Sequence, residues 1–450
     1  MIIETVKKIL QENIICNNCL GRQFALLITG GKITNYDRGL SLKSYLLMET
    51  HSKILNNIGD QDENIDIIKK IAENGMFQPA VTTLEKFGIN IEIKKGCTIC
   101  KGIMNKIPYY ADKVKEKLET VQFNNFLVGS KFNSEIIENE DRLRAKYQLK
   151  WGETIKGEFN REVGKIVLKG LKGKFVEFNN PEVVAVVNTI KDEIELNINP
   201  LFIYGRYLKL IRGIPQTHWI CKNCNGLGCE ECNYKGYKYE TSIEELITKK
   251  VIEICEGTDA KFHGAGREDI DALMLGTGRP FVIEIRAPKK RFIDLKKVEK
   301  VVNEYAENKI IIKDLEFSDK YRVRKIKANS QLVNKTYRAK IEIKSKVDPE
   351  QIYELEKKFS NVIIEQRTPL RVLHRRVNKI RKKRIYSFKI DEITDYGFIA
   401  IITSQGGTYI KELISGDNGR TRPSVSESLG NIECNVLELD VIIVDTISID

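Results

Sequence analysis

Residues 264–281 read Gly264-Ala265-Gly266-Arg267-Glu268-Asp269-Ile270-Asp271-Ala272-Leu273-Met274-Leu275-Gly276-Thr277-Gly278-Arg279-Pro280-Phe281. Two glycine-bearing turns bracket a short charged segment that leads into a hydrophobic strand. Gly276-Thr277-Gly278 invites a dinucleotide-binding reading, but it precedes a strand instead of opening a helix, and the third glycine is missing. Taken alone, three carboxylates beside Arg267 and Arg279 fit two arrangements. One is a surface ion-pair cluster, and the other is a loop that holds a single carboxylate against a cation.

Outward from this stretch, β-branched runs alternate with amphipathic ones. Ile243–Cys255 and Leu295–Asn308 have helical spacing, whereas 281–285, 309–312, 337–343, 361–365, 384–390, 397–403 and 436–444 have strand character. Strands dominate and the helices follow no regular βαβ order, so the expected fold is α+β with a mixed, largely antiparallel sheet. The character of the chain changes near Asn199-Pro200, which divides an accessory region, 1–195, from a main domain, 196–450. In the accessory region Ile3, Val6, Leu10 and Ile14 share a helix face, and 56–63 reads as a surface loop. Strands are expected at 123–128, 164–168, 175–178, 183–187 and 193–198, a pattern that fits a compact α/β RNA-binding module.

With 42% hydrophobic and 30% charged residues, the composition is that of an ordinary soluble globular protein. No run approaches the roughly 20 apolar residues of a membrane span, and the N-terminus lacks a signal-peptide core, so the expected location is the cytoplasm. The net charge of +12 favours a polyanionic partner, since neutralising phosphates releases counterions. The charge is concentrated between Arg367 and Arg384, where Arg367, Arg371, Arg375, Arg376, Lys379, Arg381, Lys382, Lys383 and Arg384 occur without an acid. Leu370, Val372, Leu373 and Ile380 interrupt the run, so it belongs to a folded element with a basic surface.

Eight of the ten cysteines fall into four CxxC pairs: Cys16/Cys19, Cys97/Cys100, Cys221/Cys224 and Cys229/Cys232. A structural zinc ion takes four soft ligands, and one CxxC turn supplies two. The last two pairs form a compact knuckle at 221–232, while the first two must meet across the accessory region. A redox dithiol would stand alone in a thioredoxin-like context, and disulfides need an oxidising compartment, so two structural zinc sites are the reading. All-cysteine coordination leaves no open position for catalysis.

Three elements resemble the motifs of pseudouridine synthases. Gly266-Arg267-Glu268-Asp269 is similar to the Gly-Arg-Thr-Asp element that carries the family's catalytic aspartate. The stretch from Thr403 to Leu413, with Gly407-Thr408-Tyr409-Ile410-Lys411, resembles the Ser-x-Gly-Thr-Tyr-Ile-Arg motif of the uridine-55 synthases. In that motif the basic residue pairs with the aspartate. Here it is Lys411, with one extra residue upstream, which replaces a bidentate contact by a point charge. Lys335-Thr336-Tyr337-Arg338-Ala339 looks like the motif whose tyrosine stacks on the target base. Over 200–450 the likeness is to the archaeal and eukaryotic family that makes pseudouridine at tRNA positions 54 and 55. It includes Tyr204-Gly205-Arg206-Tyr207, the Ile214–Trp219 segment and the Gln366–Arg376 segment. That family carries an N-terminal cysteine-rich zinc element and a THUMP-type RNA-binding domain.

The resemblance implies a tRNA pseudouridine synthase acting on the T arm without an organic cofactor. Asp269 would be the catalytic carboxylate, chosen over Asp271 for its place directly after Arg267-Glu268. Lys411, Tyr337, Tyr409 and Arg267 would support it, and Arg367, Arg371, His374, Arg375, Arg376, Lys379 and Arg381 would bind tRNA. Two other classes stay in view. A different RNA-modifying enzyme would need a glycine-rich cofactor loop or a pyrophosphate loop, and neither occurs. A zinc-stabilised RNA-binding protein would leave Asp269 and Lys411 without a purpose.

Overall fold

The computed structural model describes residues 2–28, 33–329 and 332–445, with the backbone alone at Arg375. The chain forms two compact units, residues 1–199 and 200–450.

The first unit opens with helices α1 (Ile2–Glu12), α2 (Asn17–Arg22), α3 (Asn35–Leu55), α4 (Gln61–Glu73) and α5 (Gln78–Glu85). Val6, Ile9 and Leu10 of α1 are buried, each contributing roughly 1.5–3 kcal/mol of apolar transfer. Then follow α6 (Ile107–Leu118), β1 (Asn125–Lys131), α7 (Ser134–Tyr147), α8 (Ile155–Gly170), β2 (Phe175–Val176), β3 (Val183–Asn188) and β4 (Glu193–Ile198). The sheet runs β2-β1-β3-β4, parallel through β3 and antiparallel at β4.

Two expectations fail in this unit. Residues 164–168 are not a strand but the last turns of α8. The β-branched Ile166-Val167 suggested a strand over a short window. The longer pattern Ile155, Phe159, Val163, Val167, all buried, has the spacing of a helix, and the Thr154 hydroxyl caps its start. The loop expected at 56–63 stops earlier, because Asp60 accepts from the backbone N–H groups of Asp62 and Glu63 and starts α4.

The second unit is built on a ten-stranded sheet. Its strands are β5 (Leu201–Lys209), β6 (Asp259–Gly264), β7 (Leu273–Arg286), β8 (Ile310–Ser318), β9 (Lys335–Ile343), β10 (Val362–Arg367), β11 (Ile380–Thr394), β12 (Gly397–Ser404), β13 (Thr421–Arg422) and β14 (Cys434–Val444). Helices α9 (Ile243–Cys255), α10 (Leu295–Tyr305), α11 (Lys320–Asn329), α12 (Pro349–Lys358), α13 (Ile410–Ser415) and α14 (Val425–Ser428) occur between them. The order is β13-β10-β11-β12-β9-β14-β7-β5-β8, with β6 also paired to β7. Every pairing is antiparallel except β14 with β7. The mixed, largely antiparallel α+β sheet expected from the sequence is what forms. The last strand in sequence, β14, lies in its interior and joins β9 to β7.

The strand expected at 281–285 is much longer, because β7 runs through Gly276-Thr277-Gly278 instead of turning there. Both glycines have positive φ, 54° and 73°. A Cβ at Gly276 would lie 2.1 Å from the carbonyl oxygen of Ile442, so the close approach of β14 requires glycine. The helix expected at 295–308 stops at Tyr305, since Glu307 and Asn308 adopt left-handed backbone.

Candidate active site

Asp269 sits on the loop between β6 and β7, and that loop is fixed from several sides. Lys209 Nζ donates to the carbonyl of Ile270 at 2.6 Å, and the N–H of Gly213 donates to the same oxygen at 2.9 Å. Arg212 Nη1 donates to the Asp271 carbonyl at 2.7 Å, and Gln216 Nε2 to that of Gly266 at 2.8 Å. Glu268 turns inward. Its carboxylate accepts from Arg279 Nε at 2.7 Å and from the Tyr207 hydroxyl at 2.9 Å, with the two ion-paired side chains 2% and 1% exposed. Buried charges of this kind persist only when paired and hydrogen-bonded. So of the three adjacent carboxylates one is structural, which leaves Asp269 and Asp271 facing outward.

Asp269 lines a cavity of about 380 Å³ with Glu268, Arg279, Lys335, Tyr337, Arg371, Tyr409 and Lys411. Walls come from Leu439 and Val441 of β14 and from Val372. A volume in this range accommodates a small-molecule-sized group such as a nucleoside. Asp269 is 37% exposed at its side chain, Asp271 67%. The structure therefore gathers Asp269, Tyr337, Tyr409, Lys411 and Arg267 at one cavity, although they come from widely separated segments.

The cations are distributed differently from the sequence expectation. Lys411 Nζ lies 2.7 Å from Asp271 Oδ2 and 3.9 Å from Asp269 Oδ2. Arg371 Nη1 is nearer to Asp269, at 3.3 Å, while its Nε binds Glu412 at 2.7 Å. Glu412 belongs to α13, next to Lys411, and holds the guanidinium in place. Burial disfavours the Arg371 charge, but Glu412 and Asp269 outweigh it and raise its pKa. Burial likewise pushes the Asp271 carboxyl up, and the hydrogen bond and charge of Lys411, with its own backbone N–H and the Arg371 charge, together outweigh this and leave its pKa below the ordinary value. Tyr337 is buried, and that desolvation pushes its hydroxyl up to about 12, so it stays protonated. Tyr409 is fixed at both backbone ends by Gln366, whose Nε2 donates to its carbonyl and whose Oε1 accepts its N–H, each at 2.9 Å. Arg267 is exposed and stacks over Trp219, its guanidinium carbon 5.8 Å from the ring centroid.

The basic tract is split between tasks. Arg371 belongs to the cavity. Arg381 donates to the Thr368 hydroxyl at 2.8 Å and Lys383 to the Gly406 carbonyl at 2.7 Å. Arg367, His374, Arg376 and Lys379 are exposed, Arg376 at the rim of the cavity. His374 faces a second groove, lined by Trp219, Tyr237 and Lys238 beside the cysteine knuckle. The side chain of Arg375 lies outside the described residues.

Both cysteine quartets assemble. Cys16, Cys19, Cys97 and Cys100 meet in the first unit, and Cys221, Cys224, Cys229 and Cys232 in the second. Sulfur–sulfur distances of 3.8 Å occur in each. A tetrahedral Zn²⁺ with bonds of about 2.3 Å needs sulfurs roughly 3.8 Å apart, whereas a disulfide needs about 2.05 Å. Backbone N–H groups of Gly228 and Gly236 point at Cys224 and Cys232 sulfurs, at 3.1 and 3.2 Å, as thiolate ligands require. In the first unit Arg22 donates to Cys19 Sγ and forms buried ion pairs with Glu140 of α7 and Glu158 of α8, both at 2.7 Å. The residues present in both clusters fit zinc.

The pairing of Glu268 with Arg279, that of Arg371 with Glu412, and Lys335 were not foreseen from sequence; Arg371 was expected only as a tRNA-binding residue. Period-two alternation on β9 does place Lys335 on the face of Tyr337, so that signal was available. No local pattern distinguished Arg371 from its basic neighbours.

Comparison with known proteins extends the motif likeness. The family model described as Pus10, C-terminal, matches residues 202–445, and the one described as Pus10 THUMP domain, archaeal, matches 110–188. The chain is 40% identical over 447 residues to the tRNA pseudouridine synthase Pus10 of Thermofilum pendens, covering 98% of this chain and 95% of that protein. It is 42% identical over 440 residues to the protein of the same name from Methanocaldococcus jannaschii, covering 97% and 93%. Among solved structures it is similar to one described as a Cbf5-Nop10-Gar1 complex, at 18% identity and a TM-score of 0.28, with 45% of each chain covered.

Proposed function

This chain belongs to the Pus10 family of tRNA pseudouridine synthases, and on that premise we propose that it isomerises uridine in the T arm of tRNA, at position 54, 55 or both, with Asp269 as the essential carboxylate. The observation that carries the assignment to Asp269 is its position: a partly exposed carboxylate on a rigid loop, beside the Arg371 guanidinium and facing a cavity that also contains Tyr337. The T-arm assignment is supported by the likeness of the Gly407–Lys411 segment to the uridine-55 synthases.

Pseudouridine formation breaks the N1–C1′ bond, turns the base and rejoins it through C5. The target nucleotide must leave its stack to be reached, and the cavity offers it Tyr337 and Tyr409 as ring surfaces. Asp269 acts either as nucleophile or as the base that removes a sugar proton. Arg371, held by Glu412, orients the carboxylate and sets a positive charge beside it. Exposed Arg367, Arg376 and Lys379 hold tRNA phosphates, and the THUMP-type module adds a further RNA contact. Zinc in the two cysteine quartets is structural, since four thiolates leave no open position.

Purified protein incubated with unmodified tRNA, followed by carbodiimide-dependent primer extension, tests this reading. Stops in the T arm with wild type, absent with Asp269→Asn, are the expected result. Wild type giving no stop in the T arm would overturn it.

A further inference from the structure

Three buried lysines differ in one respect. Lys43, 0% exposed, donates to Ile15 O, Asn17 Oδ1 and Gly75 O at 3.0, 2.7 and 2.6 Å. Lys209, 1% exposed, donates to Ile270 O at 2.6 Å. Each is a structural ammonium that ties backbone carbonyls together, Lys209 reaching Asp269 O as well at 3.4 Å. Lys335 is 6% exposed and donates no hydrogen bond to any described residue. It stands on β9 two residues before Tyr337, and both line the Asp269 cavity. Its ammonium opens into the Asp269 cavity with no acceptor from the described residues, so its protons are left for whatever enters that cavity.

The surroundings indicate what that partner is. Burial pushes the Lys335 ammonium down to about 7. Arg279 of β7 and Lys383 of β11 push in the same direction, and Glu268 of the β6–β7 loop opposes them. A site with two neighbouring cations and a spare donor favours a group that carries or develops negative charge. Three other cations of the cavity already face carboxylates: Arg279 faces Glu268, Arg371 faces Glu412 and Asp269, and Lys411 faces Asp271. Depth also discriminates. Asp269 and Lys411 remain 37% and 28% exposed, so sugar and phosphate belong near them, and the base reaches the deeper end where Lys335 lies.

From this arrangement we infer that Lys335 receives the target uracil, donating from its ammonium to a ring carbonyl, O2 or O4, and stabilising the charge the base acquires when its glycosidic bond breaks. The inference rests on the reading of this cavity as the isomerisation site. The chemistry balances without an outside reagent. The C1′–N1 bond breaks with its electron pair going to the base, and the resulting anion spreads over N1, O2 and O4. After the ring turns, the C5–C6 π pair forms the C5–C1′ bond, the C5 proton leaves and N1 gains one. The base departs with the pair whether Asp269 attacks the sugar or removes a sugar proton, so a cation at its carbonyl lowers either barrier.

The test uses the full-length protein and tRNA transcripts. Lys335→Met, which keeps an unbranched chain of similar length, is expected to bind tRNA within about twofold of wild type while its single-turnover rate falls about 100-fold. Transcripts carrying 2-thiouridine or 4-thiouridine at the target position place a weak acceptor where O2 or O4 stood. Wild type should slow roughly tenfold on one of the two, and Lys335→Met should show no further loss on it. The wild-type kcat/KM should fall as pH rises above about 7, where the free lysine loses its proton, and this descending limb should vanish in Lys335→Met. A folded Lys335→Met variant within threefold of the wild-type rate would overturn the inference. So would a wild type indifferent to sulfur at both positions, which decides the matter even where the variant does not fold. Wild type that makes no pseudouridine would remove the underlying reading as well.

Discussion

Arg371 lies closer to Asp269 than Lys411 does, 3.3 Å against 3.9 Å, and its own position is set by Glu412. Neutralising it removes the nearest charge from the carboxylate. Arg371→Met should therefore lower kcat about 100-fold with a smaller change in KM. Lys411→Met, whose shortest contact is to Asp271, should cost less. Steady-state kinetics on a tRNA transcript for both variants measures the difference, and a larger loss at Lys411 would reverse the assignment.

Asp269→Asn should reduce turnover by on the order of 10⁴-fold without changing thermal stability much, because its carboxylate is partly exposed. Asp271→Asn should retain most activity. Full activity in the first with loss in the second would move the essential carboxylate by two residues.

Glu268→Gln leaves the Arg279 guanidinium buried without its counter-charge. Removing one partner of such a pair costs about 3–5 kcal/mol. Calorimetry should show the melting of the second unit at markedly lower temperature, with activity falling because the Asp269 loop loses its inner anchor. A melting temperature equal to wild type would contradict this.

Each cysteine quartet should hold one zinc ion. Elemental analysis of the purified chain is expected to give two per molecule, and Cys232→Ser should reduce this to one. Strong chelators should lower thermal stability, since metal binding of this type contributes to folding. Zinc content unchanged in Cys232→Ser would exclude the knuckle as a site.

Exposed Arg367, Arg376 and Lys379 should bind phosphates without reading sequence. Substituting any one by Ala should weaken tRNA binding and reduce the slope of log affinity against log salt by about 1. An unchanged slope in all three would exclude this face.

The parts of this protein that a sequence can disclose are the ones set by neighbours along the chain. Runs rich in β-branched residues disclosed β9, β12 and β14, and the helical spacing in 243–255 disclosed α9 with both its ends. CxxC spacing grouped the cysteines because two thiolates of one turn already share a metal. What was hidden depends on contacts between distant segments. Glu268 and Asp269 are adjacent and chemically alike, yet one is locked to Arg279 inside the unit and the other faces the cavity. Arg371 looks like any residue of a basic run until Glu412 is brought beside it. The strand expected at 164–168 failed for a related reason: a few β-branched residues outweighed a longer helical period that only the packed core makes visible.

The place of β14 has a consequence for how the protein is made. It is translated after every other strand of its sheet, yet it separates β9 from β7 and supplies Leu439 and Val441 to the cavity. Without β14 the sheet order divides into β13-β10-β11-β12-β9 and β7-β5-β8 with β6, and the facing edges of β9 and β7 have no partner. Open edges of this kind invite mispairing, and contacts so distant in sequence form slowly. A chain cut at residue 433 loses β14 with Leu439 and Val441 of the cavity wall, and is expected to lack activity and to aggregate.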